Sequence, residues 1–121
     1  MTREQERAKD AFERVKARVS KDEGWRNEYG GMAHKIPILV RQAGLAQALA
    51  FIRSRGKEAH QALLEDLAHT AARLNAEELI TRSREASLTT YLHLTREVLA
   101  AALWYKRFAQ SLLGVEEGSD E

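Results

Sequence analysis

Hydrophobic residues recur every three or four positions along most of the chain, which is the spacing of one buried face on an α-helix. No stretch alternates polar and apolar residues for long, and a single proline leaves long runs free of the strongest helix breaker. The longest run follows Ser87, and its apolar line is Tyr91, Leu94, Val98, Ala101, Tyr105, Phe108 and Leu112, flanked by Leu92, Leu99 and Leu103. This pattern predicts an all-α fold with the long C-terminal helix central to the core.

Capping residues and glycines divide the chain into about five or six helices. Thr2 is the expected N-cap of the first helix, whose inward stripe we predict as Ala8, Phe12, Val15 and Val19. A second helix over residues 23–43 contains Pro37, where we expect a kink or a restart. The remaining segments are 45–55, which ends at Gly56, then 57–74, a short helix from the Asn75 cap to about Arg84, and the long helix after Ser87.

The length of 121 residues suits one domain, and 44% hydrophobic with 31% charged residues suits a globular protein. We assign residues 1–113 to a single helical domain, and we expect residues 114–121 to form a flexible acidic tail. No apolar run approaches the roughly 20 residues of a membrane helix, and the amino terminus is charged where a secretory signal is apolar. We therefore expect a cytoplasmic protein with no membrane partner.

The net charge of +1 conceals an asymmetry between the two halves of the chain. Residues 1–57 hold 13 Lys and Arg against 7 Asp and Glu, whereas residues 58–121 hold 6 against 11. The asymmetry suggests an anionic partner for one part of the chain and a different neighbour for the other. Solvated helix faces of mixed charge are the alternative explanation.

Features that would support catalysis are sparse. The chain has no cysteine, which excludes disulfides, thiolate zinc sites and cysteine nucleophiles, and its four histidines do not form an H-E-x-x-H pair. The best set for a metal or acid–base role is Glu65, Asp66 and His69 on one helix, although a surface hydrogen bond explains the Glu65 and His69 spacing better. We therefore predict that the protein is not an enzyme and needs no metal or cofactor.

Basic residues are the stronger candidates for a binding site, because the planar fork of arginine donates two hydrogen bonds to a phosphate. Arg3, Arg7, Arg14 and Arg18 fall near one face of the first helix, although acidic neighbours dilute their field. Other basic residues lie around the second and third helices or on the last one: Arg41, Arg53, Arg55, Lys57, Lys106 and Arg107. Since no aromatic residues are interleaved among these charges, we predict contact with backbone phosphates and no reading of bases.

Residues 39–55 also permit a different interpretation. Gly44 followed by Leu45 resembles the turn of a helix-turn-helix, which would indicate a stand-alone DNA-binding regulator. Against this alternative, Ala50 and Arg53 occupy positions that should anchor a recognition helix in the core.

Three runs of sequence together resemble a known family: IPILVRQAGLAQALAF over 36–51, YLHLTRE over 91–97 and LWYKRFA over 103–109. In order, spacing and total length the chain is similar to the small all-helical Cmr subunit of type III-B CRISPR effector complexes, the Cmr5 family. The resemblance implies a non-catalytic subunit that stacks in several copies as a minor filament, beside backbone subunits that hold the guide RNA and in contact with the large subunit. It also implies contact with the phosphates of guide and target RNA, and by analogy it assigns this role to Arg41, Arg53, Lys57, Lys106 and Arg107.

Overall fold

The computed structural model describes residues 1–118, and the last three residues of the predicted tail lie outside this part. Its helices are α1 (Arg3–Lys16), α2 (Glu23–Ala43), α3 (Leu45–Arg55), α4 (Glu58–Ala72), α5 (Ala76–Glu85) and α6 (Leu88–Ser111). The described residues contain no strand, and no helix among them is long and apolar enough to cross a membrane. The predicted all-α fold of five or six helices is therefore confirmed, and α2 and α3 have the predicted bounds.

The long helix α6 lies at the centre of the bundle, as the sequence predicted, and packs against α1, α2 and α4. It runs antiparallel to α2. The Tyr91 hydroxyl near the start of α6 accepts a hydrogen bond from the Ala46 amide just after α2, whereas the residues that follow α6 return to the middle of α2. Leu92 and Leu103, predicted to flank the buried line, are exposed because the neighbouring helices cover the opposite side of α6.

Side-chain caps begin several helices at the residues that the sequence indicated. Thr2 accepts a hydrogen bond from the Gln5 amide and Asn75 accepts one from the Glu78 amide, each within a capping box. Ser87 caps α6 in the same way. Each cap satisfies an amide that has no partner within the helix, and such a contact typically contributes about 1 kcal/mol.

The buried face of α1 differs from the predicted stripe. Ala11 and Val15 are fully buried, whereas Phe12 is 38% exposed and Val19 lies exposed beyond the end of the helix. The side of α1 that faces the core also carries arginines, whose charges are met by carboxylates on other helices. In the sequence these arginines look like surface residues, so the prediction oriented α1 by its apolar spacing alone and placed Phe12 toward the core.

Helix α2 continues through Pro37 without the predicted restart. Proline removes one backbone donor, but Pro37 is buried together with Ile36 and Val40, and this packing holds the helix together. The helix ends at Gly44, where φ is +88° and an added Cβ would lie 3.3 Å from the Tyr91 hydroxyl. Both features favour glycine, and α3 begins at the next residue.

The chain returns to the core after α6. Val115 is 1% exposed and packs against Gly30 in the middle of α2, and its carbonyl accepts a hydrogen bond of 2.8 Å from Nε2 of His34. The packed part of the chain thus extends two residues beyond the predicted boundary at Leu113. Acidic residues follow Val115, and for this reason the sequence predicted a tail there. Its contact with Gly30 could not be foreseen, because that glycine lies 85 positions earlier in the chain.

Candidate nucleic-acid interface

The arginines of α1 and of the turn after it do not form the free basic face that the sequence suggested. Arg7 lies 2.7 Å from Glu97 on α6 and 2.7 Å from Glu4, and Arg3 also contacts Glu97. The remaining two, Arg14 and Arg18, pair with a buried carboxylate on α4. These guanidiniums therefore hold helices together and are not available as a continuous surface for phosphates.

Asp66 on α4 is the centre of this buried polar network. Its side chain is 2% exposed and accepts hydrogen bonds from the Tyr29 hydroxyl at 2.6 Å, from Arg18 at 3.0 Å and from Arg14 at 3.4 Å. Burial raises the pKa of Tyr29 well above its ordinary value, and the charge of Asp66 raises it further, so the phenol stays protonated and donates. The network ties α1 and α2 to α4.

A second carboxylate, Asp10, extends the network to α6. It accepts a hydrogen bond from the Thr70 hydroxyl, lies 3.1 Å from Nδ1 of His69 and pairs with Arg14 at 3.2 Å. The Thr70 hydroxyl in turn lies 2.7 Å from the Tyr105 hydroxyl on α6. Burial alone raises the pKa of Asp10, but the hydrogen bonds from Thr70 and His69 and the charge of Arg14 outweigh it and lower that pKa below 3.8.

The lowered pKa of Asp10 predicts a contribution to stability that acid removes. A carboxyl whose pKa falls on folding stabilises the fold above its unfolded pKa, near 3.8, and loses that contribution as the pH falls through the folded pKa. We expect Asp10→Asn to lower the free energy of unfolding near neutral pH and to flatten its decline below about pH 4. Urea unfolding across the acid range measures both effects.

The matched control for this prediction is Glu13→Gln on the same helix. Glu13 is exposed, and within residues 1–118 its one ion pair is with Lys9, at 3.8 Å, so its loss should leave the pH dependence of stability unchanged. An Asp10→Asn curve that runs parallel to that of the parent protein throughout the acid range would contradict the prediction.

The set predicted as the best metal or acid–base candidate is not brought together. Glu65 accepts a hydrogen bond of 2.6 Å from the Ala76 amide at the start of α5, while His69 contacts Asp10 and Asp66 binds arginines. The predicted hydrogen bond between Glu65 and His69 is therefore replaced by contacts to other helices. Residues 1–118 contain no group of three His, Asp or Glu side chains that could hold a metal ion.

The five residues predicted to contact RNA lie at three separate places on the bundle. Arg41 is in the last turn of α2, Arg53 and Lys57 flank the turn between α3 and α4, and Lys106 and Arg107 lie near the end of α6. Because α2 and α6 are antiparallel, Arg41 and Arg107 are near opposite ends of α6. The structure thus offers separate points of positive charge, with no single pocket among the described residues that contains all five.

Acidic neighbours already engage three of the five. Arg53 lies 2.7 Å from Glu77, Lys57 lies 3.4 Å from Glu28, and Lys106 lies 3.7 Å from Glu117. Arg41 and Arg107 are exposed and form no ion pair with any residue of the described part. These two arginines can neutralise a phosphate without giving up an existing contact. The other three residues would first have to leave their carboxylate partners, which costs little for exposed ion pairs.

The helix-turn-helix interpretation fits the α2–α3 corner poorly. Only Gly44 separates the two helices, whereas a helix-turn-helix uses a turn of about three or four residues. Helix α3 points Leu45, Leu49 and Ile52 into the core, and its Arg53 is held by Glu77. A stand-alone DNA-binding regulator is therefore not favoured.

A group of aromatic residues next to Arg107 was missed by the sequence analysis. Trp104 stacks on Phe108 with ring centroids 5.5 Å apart, and Phe12 of α1 meets Phe108 edge to face, also at 5.5 Å. The ammonium of Lys16 lies 5.7 Å from the centre of the Phe12 ring. Aromatic and basic residues are thus interleaved here, contrary to prediction. Trp104, Arg107 and Phe108 are already close together in the sequence, and the packing of α1 on α6 adds Phe12 and Lys16.

The fold and the surface define a class of protein: a small helical bundle whose interior polar groups hold helices together and whose uncompensated arginines face outward. The family model described as CRISPR-associated protein (Cas_Cmr5) matches residues 3–112. The CRISPR system Cmr subunit Cmr5 of Thermus thermophilus is 58% identical over 112 residues, which cover 93% of this chain and 96% of that protein.

The similarity extends to a solved structure. The crystal structure of a CRISPR-associated Cmr5 family protein from Thermus thermophilus matches with a TM-score of 0.86 and 57% identity, over 93% of this chain and 98% of that one. The chain therefore belongs to the Cmr5 family of CRISPR-associated proteins, and the resemblance found in the sequence is confirmed.

Proposed function

We propose that this chain is a non-catalytic subunit of a type III-B CRISPR (Cmr) effector complex. In this complex it stacks with copies of itself as a minor filament beside the backbone subunits, touches the large subunit at one end and contacts the phosphates of guide and target RNA. It acts in the cytoplasm and needs no cofactor. The observation that carries the proposal is the 58% identity with a Cmr subunit over 93% of the chain.

The placement of the polar groups supports a binding role without catalysis. The groups that could have served chemistry, such as Asp10, Asp66 and His69, are occupied in contacts between helices. Removing any of them would disturb packing, and the hydroxyl beside Asp10, that of Thr70, is itself buried against the Tyr105 hydroxyl. The side chains left over for a ligand are surface cations, which attract phosphates.

The exposed apolar residues support assembly with other chains. Ile38 and Phe51 border a depression of about 390 Å³ between α2 and α3, and Leu88 and Leu92 are exposed at the start of α6. Exposed apolar patches that charged residues surround are typical of protein interfaces. Contacts between unlike surfaces of identical copies generate a filament when the rotation does not close.

We expect the triple variant Arg41→Ala, Arg53→Ala and Arg107→Ala to weaken RNA binding by the reconstituted complex. If each side chain neutralises one phosphate, the slope of log affinity against log salt should fall by about 2 to 3, with no change in sequence preference. Fluorescence anisotropy of a labelled target RNA across a salt series measures both the affinity and the slope.

A triple variant with the same loss of charge provides the control: Lys9→Ala, Arg84→Ala and Arg96→Ala. Lys9 is exposed and pairs with Glu13 at 3.8 Å, and the two arginines are exposed on α5 and α6. Gel filtration should show that both variants enter the complex. Unchanged RNA affinity in the first variant, or an equal loss in both, would refute the assigned phosphate contacts.

A further inference from the structure

An aromatic surface with basic residues at its edge lies where α1 packs on α6. We call it the aromatic face, and it consists of Phe12 and Lys16 on α1 and Leu103, Trp104, Arg107 and Phe108 on α6. Edge-to-face and stacked contacts join the three rings into one cluster. The cluster is held in place, since Nε1 of Trp104 donates a hydrogen bond of 2.6 Å to Glu4 on α1.

This surface is unusually apolar for an exposed position. Phe12 is 38% exposed and Leu103 is 47% exposed. Apolar area left in water forgoes about 25 cal/mol per Å² of stabilisation, so exposed Phe12 and Leu103 beside two half-buried aromatic rings indicate a surface that another molecule covers.

Cations lie along part of the edge of the apolar surface, away from Glu4. Lys16 lies over the Phe12 ring, and Arg107 follows Leu103 by four residues and Trp104 by three, so all three share one side of α6. Beside them is a depression of about 450 Å³ lined by Leu103, Lys106, Arg107, Gln110 and Ser111. Arg107 has no ion pair among the described residues, which leaves its guanidinium available to a ligand.

The other tryptophan shows that an aromatic ring near cations is not sufficient. Trp25 stacks on Tyr29 and has Lys21 5.0 Å and Arg18 5.7 Å from its ring. There, however, Arg18 binds the buried Asp66 and Tyr29 is fully buried, so the cations and the second ring serve the fold. At the aromatic face, by contrast, the exposed Phe12 ring belongs to one cluster with the half-buried Trp104 and Phe108, and Arg107 has no ion pair among the described residues.

We propose that the aromatic face binds single-stranded RNA, with an unpaired base stacked on Phe12 and Trp104 and the flanking phosphates on Lys16 and Arg107. Every base presents a π-face, so stacking does not depend on the RNA sequence, while the cations contact the phosphates of the RNA backbone. The cations at one edge favour a nucleic acid over an apolar protein surface. The inference rests on the proposed function, and it adds base stacking to a protein expected to touch only phosphates.

Tryptophan fluorescence tests the contact directly, because the chain has two tryptophans. In the full-length Trp25→Phe variant the only reporter is Trp104, and we expect oligouridine to quench it at low ionic strength. An abasic oligomer of equal length carries the same phosphates without bases and should not quench it. The Trp104→Phe variant, which keeps Trp25, is the matched control and should respond to neither.

Two further substitutions in the Trp25→Phe background separate the contributions of stacking and charge. We expect Phe12→Ala and Arg107→Ala each to weaken the oligouridine titration at least about fivefold, with the circular dichroism unchanged because both side chains are exposed. No quenching by oligouridine, or equal quenching by the abasic oligomer, would overturn the proposal.

The reconstituted complex distinguishes this proposal from the proposed function. RNA that contains 4-thiouridine should photo-crosslink to the segments around Phe12 or Trp104, and Phe12→Ala should lower crosslinking although it removes no charge. If Phe12→Ala leaves crosslinking and RNA affinity unchanged while the triple arginine variant still loses affinity, the proposed function stands and the stacking contact is refuted. If Phe12→Ala or Leu103→Ala instead prevents entry into the complex, the aromatic face binds a protein and the proposal fails.

Discussion

Replacing Asp66 with alanine is expected to lower the free energy of unfolding by about 3 to 5 kcal/mol, which is the usual effect of removing one partner from a buried ion pair. The variant keeps Arg14, Arg18 and Tyr29 at the junction of α1, α2 and α4 but removes the carboxylate that accepts from all three. Among the described residues Arg18 would then lose its carboxylate partner and Arg14 would keep only Asp10, in a partly buried site. We expect α1 to loosen first, since both arginines belong to it or to the turn after it.

Urea unfolding followed by circular dichroism measures this loss, and hydrogen exchange shows whether α1 amides become the least protected. Glu58→Ala is the matched control on the same helix. Its side chain is 80% exposed, lies 4.0 Å from Lys21 and accepts an exposed hydrogen bond of 3.2 Å from Nε1 of Trp25, so its removal should change stability by less than about 1 kcal/mol. A stability loss in Asp66→Ala no larger than that of the control would show that the network contributes little.

The parts of the fold that the sequence predicted are those that local chemistry determines. At Thr2, Asn75 and Ser87 the capping side chain accepts a hydrogen bond from the amide three residues later. Gly56 ends α3 because its own backbone is left-handed. Apolar spacing, which is also a local signal, correctly predicted the core face of α3 and most of the core face of α6. Such signals lie within one turn of helix and require no knowledge of the partner.

The parts that could not be predicted depend on partners far away in the chain. Arg7 and Glu97 are 90 residues apart, so no local pattern indicates that the arginine is engaged. The Glu65, Asp66 and His69 set had the spacing of a site, yet each side chain binds partners outside the set. Residues that the sequence marked as a possible functional surface are thus structural. Pairing between helices decides which charged side chains remain free for a ligand.

The candidate interface shows the same division. Residue type correctly marked Arg41 and Arg107 as exposed cations, but it could not separate them from Arg53, which Glu77 engages. It also could not reveal that Phe12 joins Trp104 on the surface, since the apolar period of α1 placed Phe12 inward. An amphipathic pattern cannot distinguish an aromatic residue kept for the core from one kept for a ligand.

Replacing Gly30 with alanine is expected to destabilise the protein by about 1 to 3 kcal/mol, although alanine is the better helix former. A Cβ at Gly30 would lie 2.7 Å from Cβ of Val115 and 2.8 Å from its Cγ1. The residues after α6 would have to move away from α2, which exposes Val115 and breaks the hydrogen bond from His34 to its carbonyl. Thermal unfolding and urea titration measure the loss.

A double-mutant cycle tests the cause of this loss. In a Val115→Gly background the clashing atoms are absent, so Gly30→Ala should become neutral or slightly stabilising. Gly24→Ala, in the first turn of the same helix, is the matched control, since its Cβ would meet only an Asp22 carboxylate oxygen at an ordinary 3.5 Å. It should stabilise by up to about 1 kcal/mol. If Gly30→Ala is equally destabilising with and without the Val115 side chain, the contact between α2 and the segment after α6 is not what requires glycine at this position.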